Sequence, residues 1–290
     1  MHIITVATHN EGYFDILKKS CKRNKIDLKV LGWGQGKTWN GNITKFKYLI
    51  DYLNKLDPNE IIVIVDAFDV MLLSRKDEIE KKFRESGKKF ICGAEKIPDF
   101  VKSFYEERFH KNNFKIIKTL WNYDYLCSGT IISYAGYAKK IFEKCWREYK
   151  NEESDQVALT QIYHTTDLIN IDWKNELFYT CTKFGDKIPY PSNYQNLKFF
   201  NNRIYNSETK TFPCFVHLTA NGDLCKYFAK ELGYKCTSNK FTPIYGAKKY
   251  YYHLKHNKSI MISIYIILVL LFISIIILFT YGIKKIKIKK

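Results

Sequence analysis

The stretch Ile61-Ile62-Val63-Ile64-Val65-Asp66-Ala67-Phe68-Asp69 decides the fold. An unbroken β-branched run with no polar alternation describes a strand covered on both faces, the habit of a central strand in a parallel sheet. The run ends on two carboxylates, and open α/β sheets bind their ligands just beyond the carboxyl ends of such strands. An Asp-x-x-Asp at a strand end also serves as an ordinary turn or helix cap, so its position after the buried run carries more weight than the motif. Hard oxygen donors there suit Mg²⁺ or Mn²⁺, an ion able to clamp a diphosphate and neutralise the charge that builds on it as it leaves.

On either side of this stretch, short apolar runs alternate with amphipathic ones. Strands are expected at Ile3 to Thr8, Leu28 to Gly32 and Lys89 to Ala94, with helices from Glu11 to Asn24, Thr44 to Leu56 and Asp77 to Ser86. Strands alternating with helices imply βαβ units and an α/β domain with a mostly parallel sheet. Pro98 to Asp124 reads as a charged, aromatic surface excursion. Leu126 to Ser133 resumes as a strand, followed by helices from Tyr134 to Tyr149 and Ser154 to Tyr163, the latter with Ser154 as N-cap. Leu168 to Ile171 and Phe215 to His217 read as short strands, and Lys183 to Thr211, rich in Asn, Tyr and Pro, as loops.

The net charge of +18 invites a nucleic-acid reading. Its distribution argues against one: the lysines are scattered singly or in pairs, five of them (Lys284, Lys285, Lys287, Lys289, Lys290) fall at the end of the chain, and no nucleic-acid motif accompanies them. Eight cysteines without a Cys-x-x-Cys pair argue against structural zinc and thioredoxin-type redox chemistry, and several lie in apolar runs as small buried hydrophobes. The chain is expected to comprise a domain at 1–236, a basic aromatic linker at 237–258, a transmembrane helix at 259–283 and a basic tail at 284–290. Ser259 to Ile283 carries no charge over 25 residues, and about 20 such residues span a bilayer core as a helix. The residues after Met1 lack a secretory apolar core, so a tail anchor with a cytosolic domain is the expected topology.

Other residues lean toward the same site. Thr8 ends the first strand and can set its hydroxyl against a nucleotide, and Lys45 at a helix start can meet phosphate. Asp155-Gln156 near another helix start can orient an acceptor hydroxyl or stabilise positive charge on a sugar, although acidic residues there are also ordinary dipole partners. His217 can give a nitrogen ligand to the ion while the backbone at Asn221-Gly222 cradles phosphate oxygens.

Taken in chain order, Thr5-Val6-Ala7-Thr8 with Glu11-Gly12-Tyr13, Leu31-Gly32-Trp33-Gly34, Trp39, Lys45, Val65-Asp66-Ala67-Phe68-Asp69, Ala94-Glu95, Ser128-Gly129, Asp155-Gln156 and Val216-His217 form a pattern. It resembles the glycosyltransferase domain of procollagen lysyl hydroxylases and its relatives in large DNA viruses, over roughly residues 1 to 235. The resemblance implies a GT-A fold, with a Rossmann-like, mostly parallel sheet flanked by helices, a UDP-sugar donor and Mn²⁺ or Mg²⁺. It further implies glucosyl or galactosyl transfer onto hydroxylysine-linked acceptors in collagen-like proteins. Carried over by position, Asp66, Asp69 and His217 hold the metal; Thr8, Lys45 and Phe68 surround the nucleotide; Asn221 and Gly222 line the diphosphate; Asp155, with Gln156, faces the acceptor and donor sugar. The family's aspartate run is here Glu152-Glu153-Ser154-Asp155, and Cys127 stands where the family has Asn. Phe68 falls where the family often has Tyr, and Lys226 is a candidate phosphate lysine. The competing reading is a catalytically inactive, membrane-anchored module that keeps the nucleotide-sugar fold for binding.

Overall fold

The structure is a computed structural model; it describes residues 1–34, 42–97, 118–152, 154–181, 196–219 and 222–235, together with Ile266. The chain divides into two units, Met1–Lys240 and Phe241–Lys290. The described strands and helices lie in the first unit. Among the described residues no helix is long and apolar enough to cross a membrane. Apart from Ile266, the proposed span at 259–283 lies outside them, as do the linker and the basic tail.

The elements run β1 (His2–Val6), α1 (Phe14–Arg23), β2 (Leu28–Leu31), α2 (Lys45–Leu53), β3 (Ile61–Val65), β4 (Val70–Leu72), α3 (Lys76–Glu85) and β5 (Phe90–Glu95). There follow β6 (Tyr125–Tyr134), α4 (Ala135–Tyr149), α5 (Asp155–Thr165), β7 (Asn170–Ile171), β8 (Phe178–Thr180), β9 (Leu197–Phe200), β10 (Arg203–Asn206), β11 (Phe215–His217) and α6 (Gly222–Glu231). The main sheet has the order β2-β1-β3-β6-β5-β7. β1 is parallel to β2 and β3, and β5 to β7, while β6 is antiparallel to both its neighbours. Every strand of the sheet except β6 therefore points the same way.

β3 occupies the centre, as its sequence requires. All five of its residues are at most 3% exposed, and the pleat sends them to opposite faces. Ile61, Val63 and Val65 pack with Phe14, Leu17, Ile79 and Phe83 from α1 and α3; Ile62 and Ile64 pack with Phe46, Leu49, Ile141 and Phe142 from α2 and α4. Each such side chain contributes about 1.5–3 kcal/mol of burial free energy, so the sheet is pinned where the Asp66 strand end emerges.

Two parts of the fold differ from the sequence reading. A second, three-stranded sheet, β4-β11-β8, follows the main one. β11 is the strand expected at Phe215 to His217, whereas β4 and β8, three residues each, are too short for a periodic signal. Part of the segment expected as loop, Lys183 to Thr211, is instead the antiparallel hairpin β9–β10, whose turn places Asn201 and Asn202 at positive φ. The Asn residues that suggested loop are the turn residues, since Asn tolerates the left-handed region at little cost. Residues 182–195 of that segment, and 98–117 of the expected surface excursion, lie outside the described residues.

Candidate active site

Asp66 leaves the end of β3, and its amide donates to the Gly129 carbonyl on β6 at 2.8 Å, so the carboxylate starts from a fixed point on the sheet rim. Asp69 immediately precedes β4. Antiparallel pairing sets Val70 against His217 on β11, and the Leu218 amide donates to the Asp69 carbonyl at 2.9 Å. That register brings two distant parts of the chain together. His217 Nε2 stands 3.4 Å from Asp69 Oδ1 and 3.8 Å from Asp66 Oδ2. One ligand atom from each of the three residues can be chosen so that all lie within 4.8 Å of one another.

Two carboxylates and an imidazole at this spacing fit a divalent cation. Adjacent ligands of an octahedral ion with bonds of 2.0–2.1 Å are about 3 Å apart, so modest side-chain movement closes the sphere. Gly129 faces the same space: a β-carbon there would lie 2.2 Å from His217 Cε1 and 2.7 Å from Asp66 Oδ2. The lack of a side chain at 129 leaves room for the cluster, and a glycine inside a strand is the sequence sign of such a close approach.

Charged groups crowd within the cluster. Burial opposes protonation of His217, yet the Asp69 carboxylate and the Cys127 sulfur outweigh it and hold the imidazole well above its ordinary value. Burial at the rim raises the Asp66 carboxyl, Lys45 opposes that and Asp69 reinforces it. With 43% of its side chain open to solvent, Asp66 is screened by water, and its raised affinity for protons counts for less than that of His217. A bound cation would substitute for the protons that this crowding attracts.

Lys45, at the first turn of α2, is 6% exposed and forms a buried ion pair with Asp155 at the start of α5. Its ammonium also lies 3.5 Å from Asp66 Oδ1 and donates to the Ser128 carbonyl at 3.4 Å. Burial alone would strip its proton, but Asp155 and Asp66 keep it charged, above its ordinary value. The residue expected to meet phosphate is therefore held here by carboxylates, and it joins Asp155 to the cluster of Asp66, Asp69 and His217. Gln156 donates to Glu95 Oε1 at 2.9 Å, and its own Oε1 lies 3.4 Å from the Ser128 hydroxyl. It ties β5, β6 and α5 together.

Thr8 lies two residues past the end of β1, on the same rim. Its hydroxyl pairs with His9 Nδ1 at 2.9 Å, and His9 Nε2 pairs with Glu11 at 2.7 Å. The Phe68 ring lies 5.7 Å from the His9 ring and meets Phe14 edge-on at 6.3 Å, while Phe14 stacks on Trp33 at 5.4 Å. Gly222 opens α6, whereas Asn221 lies outside the described residues. Lys226 stands exposed on α6. Sequence reasoning treated Cys127 only as a departure from the family pattern and gave Gly129 no role, yet both touch the His217 ring space.

An α/β sheet with an acid-and-imidazole cluster beyond its strand ends defines an α/β domain with a candidate cation site. Comparison with known proteins narrows this class: the chain belongs to the family described as the PLOD GT domain, which matches residues 1–235. It is 28% identical over 252 residues to an uncharacterized protein of Acanthamoeba polyphaga mimivirus, covering 81% of this chain and 48% of that one. It is 30% identical over 237 residues to the multifunctional procollagen lysine hydroxylase and glycosyltransferase LH3 of Rattus norvegicus, covering 74% of this chain and 29% of that one. The chain thus spans half or less of the length of these relatives. Among solved structures, a glycosyltransferase involved in the glycosylation of the major capsid of PBCV-1 aligns over 79% of this chain and 98% of its own, at 8% identity and a TM-score of 0.44, a likeness too slight to argue from.

Proposed function

We propose that the domain is a metal-dependent glycosyltransferase that moves glucose or galactose from a UDP-sugar to a hydroxyl acceptor, in keeping with its family. The single observation that carries this reading is the convergence of Asp66, Asp69 and His217 at the sheet rim, with ligand atoms within 4.8 Å of one another. These three residues would hold Mn²⁺ or Mg²⁺, and such an ion supplies Lewis-acid stabilisation of a diphosphate leaving group. The protein's own part is to keep the site pre-formed: sheet and register fix the three ligands, so little reorganisation accompanies reaction.

Thr8 and the ring of Phe68 border the space assigned to the nucleotide. A Phe in place of Tyr at 68 keeps the face for stacking and loses the phenolic hydrogen bond. Asn221 and the start of α6 at Gly222 are the backbone assigned to the diphosphate, where helix amides favour anions. Asp155 is assigned to the acceptor and donor sugar, oriented by its ion pair with Lys45, while Gln156 steadies the strand that carries Ser128 and Gly129. A collagen-like acceptor is the substrate suggested by the rat relative's name; the acceptor hydroxyl's chemistry is common to many substrates. Residues 259–283 are proposed as a single membrane span.

The direct test measures UDP release from UDP-glucose and UDP-galactose with and without Mn²⁺. Release with one donor, abolished by chelation and by Asp66→Ala with Asp69→Ala, supports the reading; equal turnover by that double variant refutes it. The membrane proposal fails if the full chain and a form ending at Lys235 partition identically between membrane pellet and supernatant.

A further inference from the structure

His217 is 4% exposed and its main chain is fixed from both sides: its carbonyl accepts the Cys181 amide at 2.8 Å, and β11 pairs it with Val70 and Thr180. What the backbone does not fix is which ring nitrogen carries the proton. A neutral imidazole has one N–H, and a nitrogen that ligates a cation must be bare, so the other must carry the hydrogen and find an acceptor. Nε2 faces Asp69 and Asp66, at 3.4 and 3.8 Å. Nδ1 faces the sulfur of Cys127 at 3.3 Å, within hydrogen-bonding range for sulfur. Cys127 is 1% exposed, on β6 opposite Gly93, where a register shift in β5 breaks the regular pairing.

We propose that Cys127 is a positioning residue: its sulfur accepts the Nδ1 hydrogen of His217 and thereby presents the bare Nε2 to a divalent cation shared with Asp66 and Asp69. This rests on the metal-site reading above and adds to it a determinant of cation affinity that the sequence pattern marks only as a departure. A thiol sulfur is a weak acceptor, weaker than a hydroxyl or amide oxygen. The cluster therefore holds its cation less tightly than the same three ligands would beside an oxygen acceptor. The acceptor need not be strong to act, because the ring is buried and its alternative tautomer would bury an N–H against the cation.

The test uses the full chain with Cys127→Ala, which removes the acceptor, and Cys127→Ser, which replaces it with a hydroxyl. Mn²⁺ titration by calorimetry is expected to show affinity about 10-fold weaker in the alanine variant, the usual size of a lost outer hydrogen bond to a ligating histidine, and wild-type or tighter affinity in the serine variant. The metal-free melting temperatures of the two variants separate this from general damage. Equal Mn²⁺ affinity in Cys127→Ala and wild type overturns the proposal, as does parallel loss in both variants. Side-chain ¹⁵N spectra of the Mg²⁺-loaded wild type give a readout that needs no variant: a protonated Nδ1 on His217 supports it, and a bare Nδ1 overturns it. If Asp66→Ala with Asp69→Ala binds Mn²⁺ as tightly as wild type, the metal site itself is refuted, a result distinct from any seen with Cys127.

Discussion

Gly129 leaves open the space beside His217: a β-carbon at 129 would stand 2.2 Å from His217 Cε1, closer than real side chains approach. Gly129→Ala must therefore displace the imidazole, the Asp66 carboxylate at 2.7 Å, or the strand itself. We expect a stability loss of about 1–3 kcal/mol from overpacking together with a fall in Mn²⁺ affinity of at least ~10-fold, since ligand geometry tolerates only about 0.5 Å. Calorimetric Mn²⁺ titration beside a thermal melt reads both. A variant that melts early yet binds Mn²⁺ normally would mean that the strand yields instead of the cluster.

The Lys45–Asp155 pair is nearly dry, at 6% and 2% exposure. Removing one partner of a buried pair strands the other charge, so Lys45→Met should cost about 3–5 kcal/mol. Adding Asp155→Asn should recover at least half of that, because the stranded carboxylate disappears. Urea unfolding of the two singles and the double gives the coupling; simple additivity would show that the pair does not hold these helix starts together.

How much of this was legible before the structure differs by element. β3 and the acidic pair that follows it could be read because a buried parallel strand writes its environment into every residue from Ile61 to Val65. The first five helices could be read within a few residues, their apolar faces repeating over two or more turns, whereas α6 was not expected from the sequence. β4 and β8 could not, since three residues carry no period and their strand character comes from pairing with β11. Asp66 and Asp69 were legible as candidate cation ligands from their place after β3, and His217 as a nitrogen ligand, while their grouping as one set came with the family resemblance. Nothing local to Asp69 or His217 states that a Val70–His217 register makes them neighbours. Lys45 shows the opposite failure: its place at a helix start was legible, but its partnership with Asp155 is a tertiary fact.

His217 predicts an inversion in pH dependence. Its folded-state affinity for a proton is raised by Asp69 against the cost of burial. A raised histidine stabilises the metal-free fold fully below its unfolded value of 6.5, and that contribution is lost as pH rises through the higher folded value. A cation needs the bare nitrogen, so Mn²⁺ competes with the proton and binds more tightly as pH rises. The thermal shift produced by Mn²⁺ is therefore expected to be larger at pH 8 than at pH 6, while the metal-free protein loses stability over the same interval. Both trends should flatten in His217→Gln, and a Mn²⁺-induced shift that shrinks with rising pH would contradict the assignment of His217 as a ligand.

Asp172 governs the turn that delivers β8 to the site sheet. Its Oδ2 accepts the amides of Leu177 and Phe178 at 2.7 and 2.8 Å, and its Oδ1 that of Glu176 at 3.1 Å. Asp172→Ala orphans these donors and should cost about 2–4 kcal/mol. Because β8 pairs with β11, the variant should also weaken Mn²⁺ binding at His217. Burial pushes the carboxyl up to about 6, with the same three amides pulling against it. A carboxyl whose folded value exceeds its unfolded 3.8 favours the fold most below 3.8, and that contribution of about 3 kcal/mol is lost as pH rises toward about 6. Urea midpoints between pH 4 and 7 should show this decline in wild type relative to Asp172→Asn, whose side chain does not titrate. If the difference between the two is constant across that range, the carboxylate is ionised throughout, and the three amides outweigh burial.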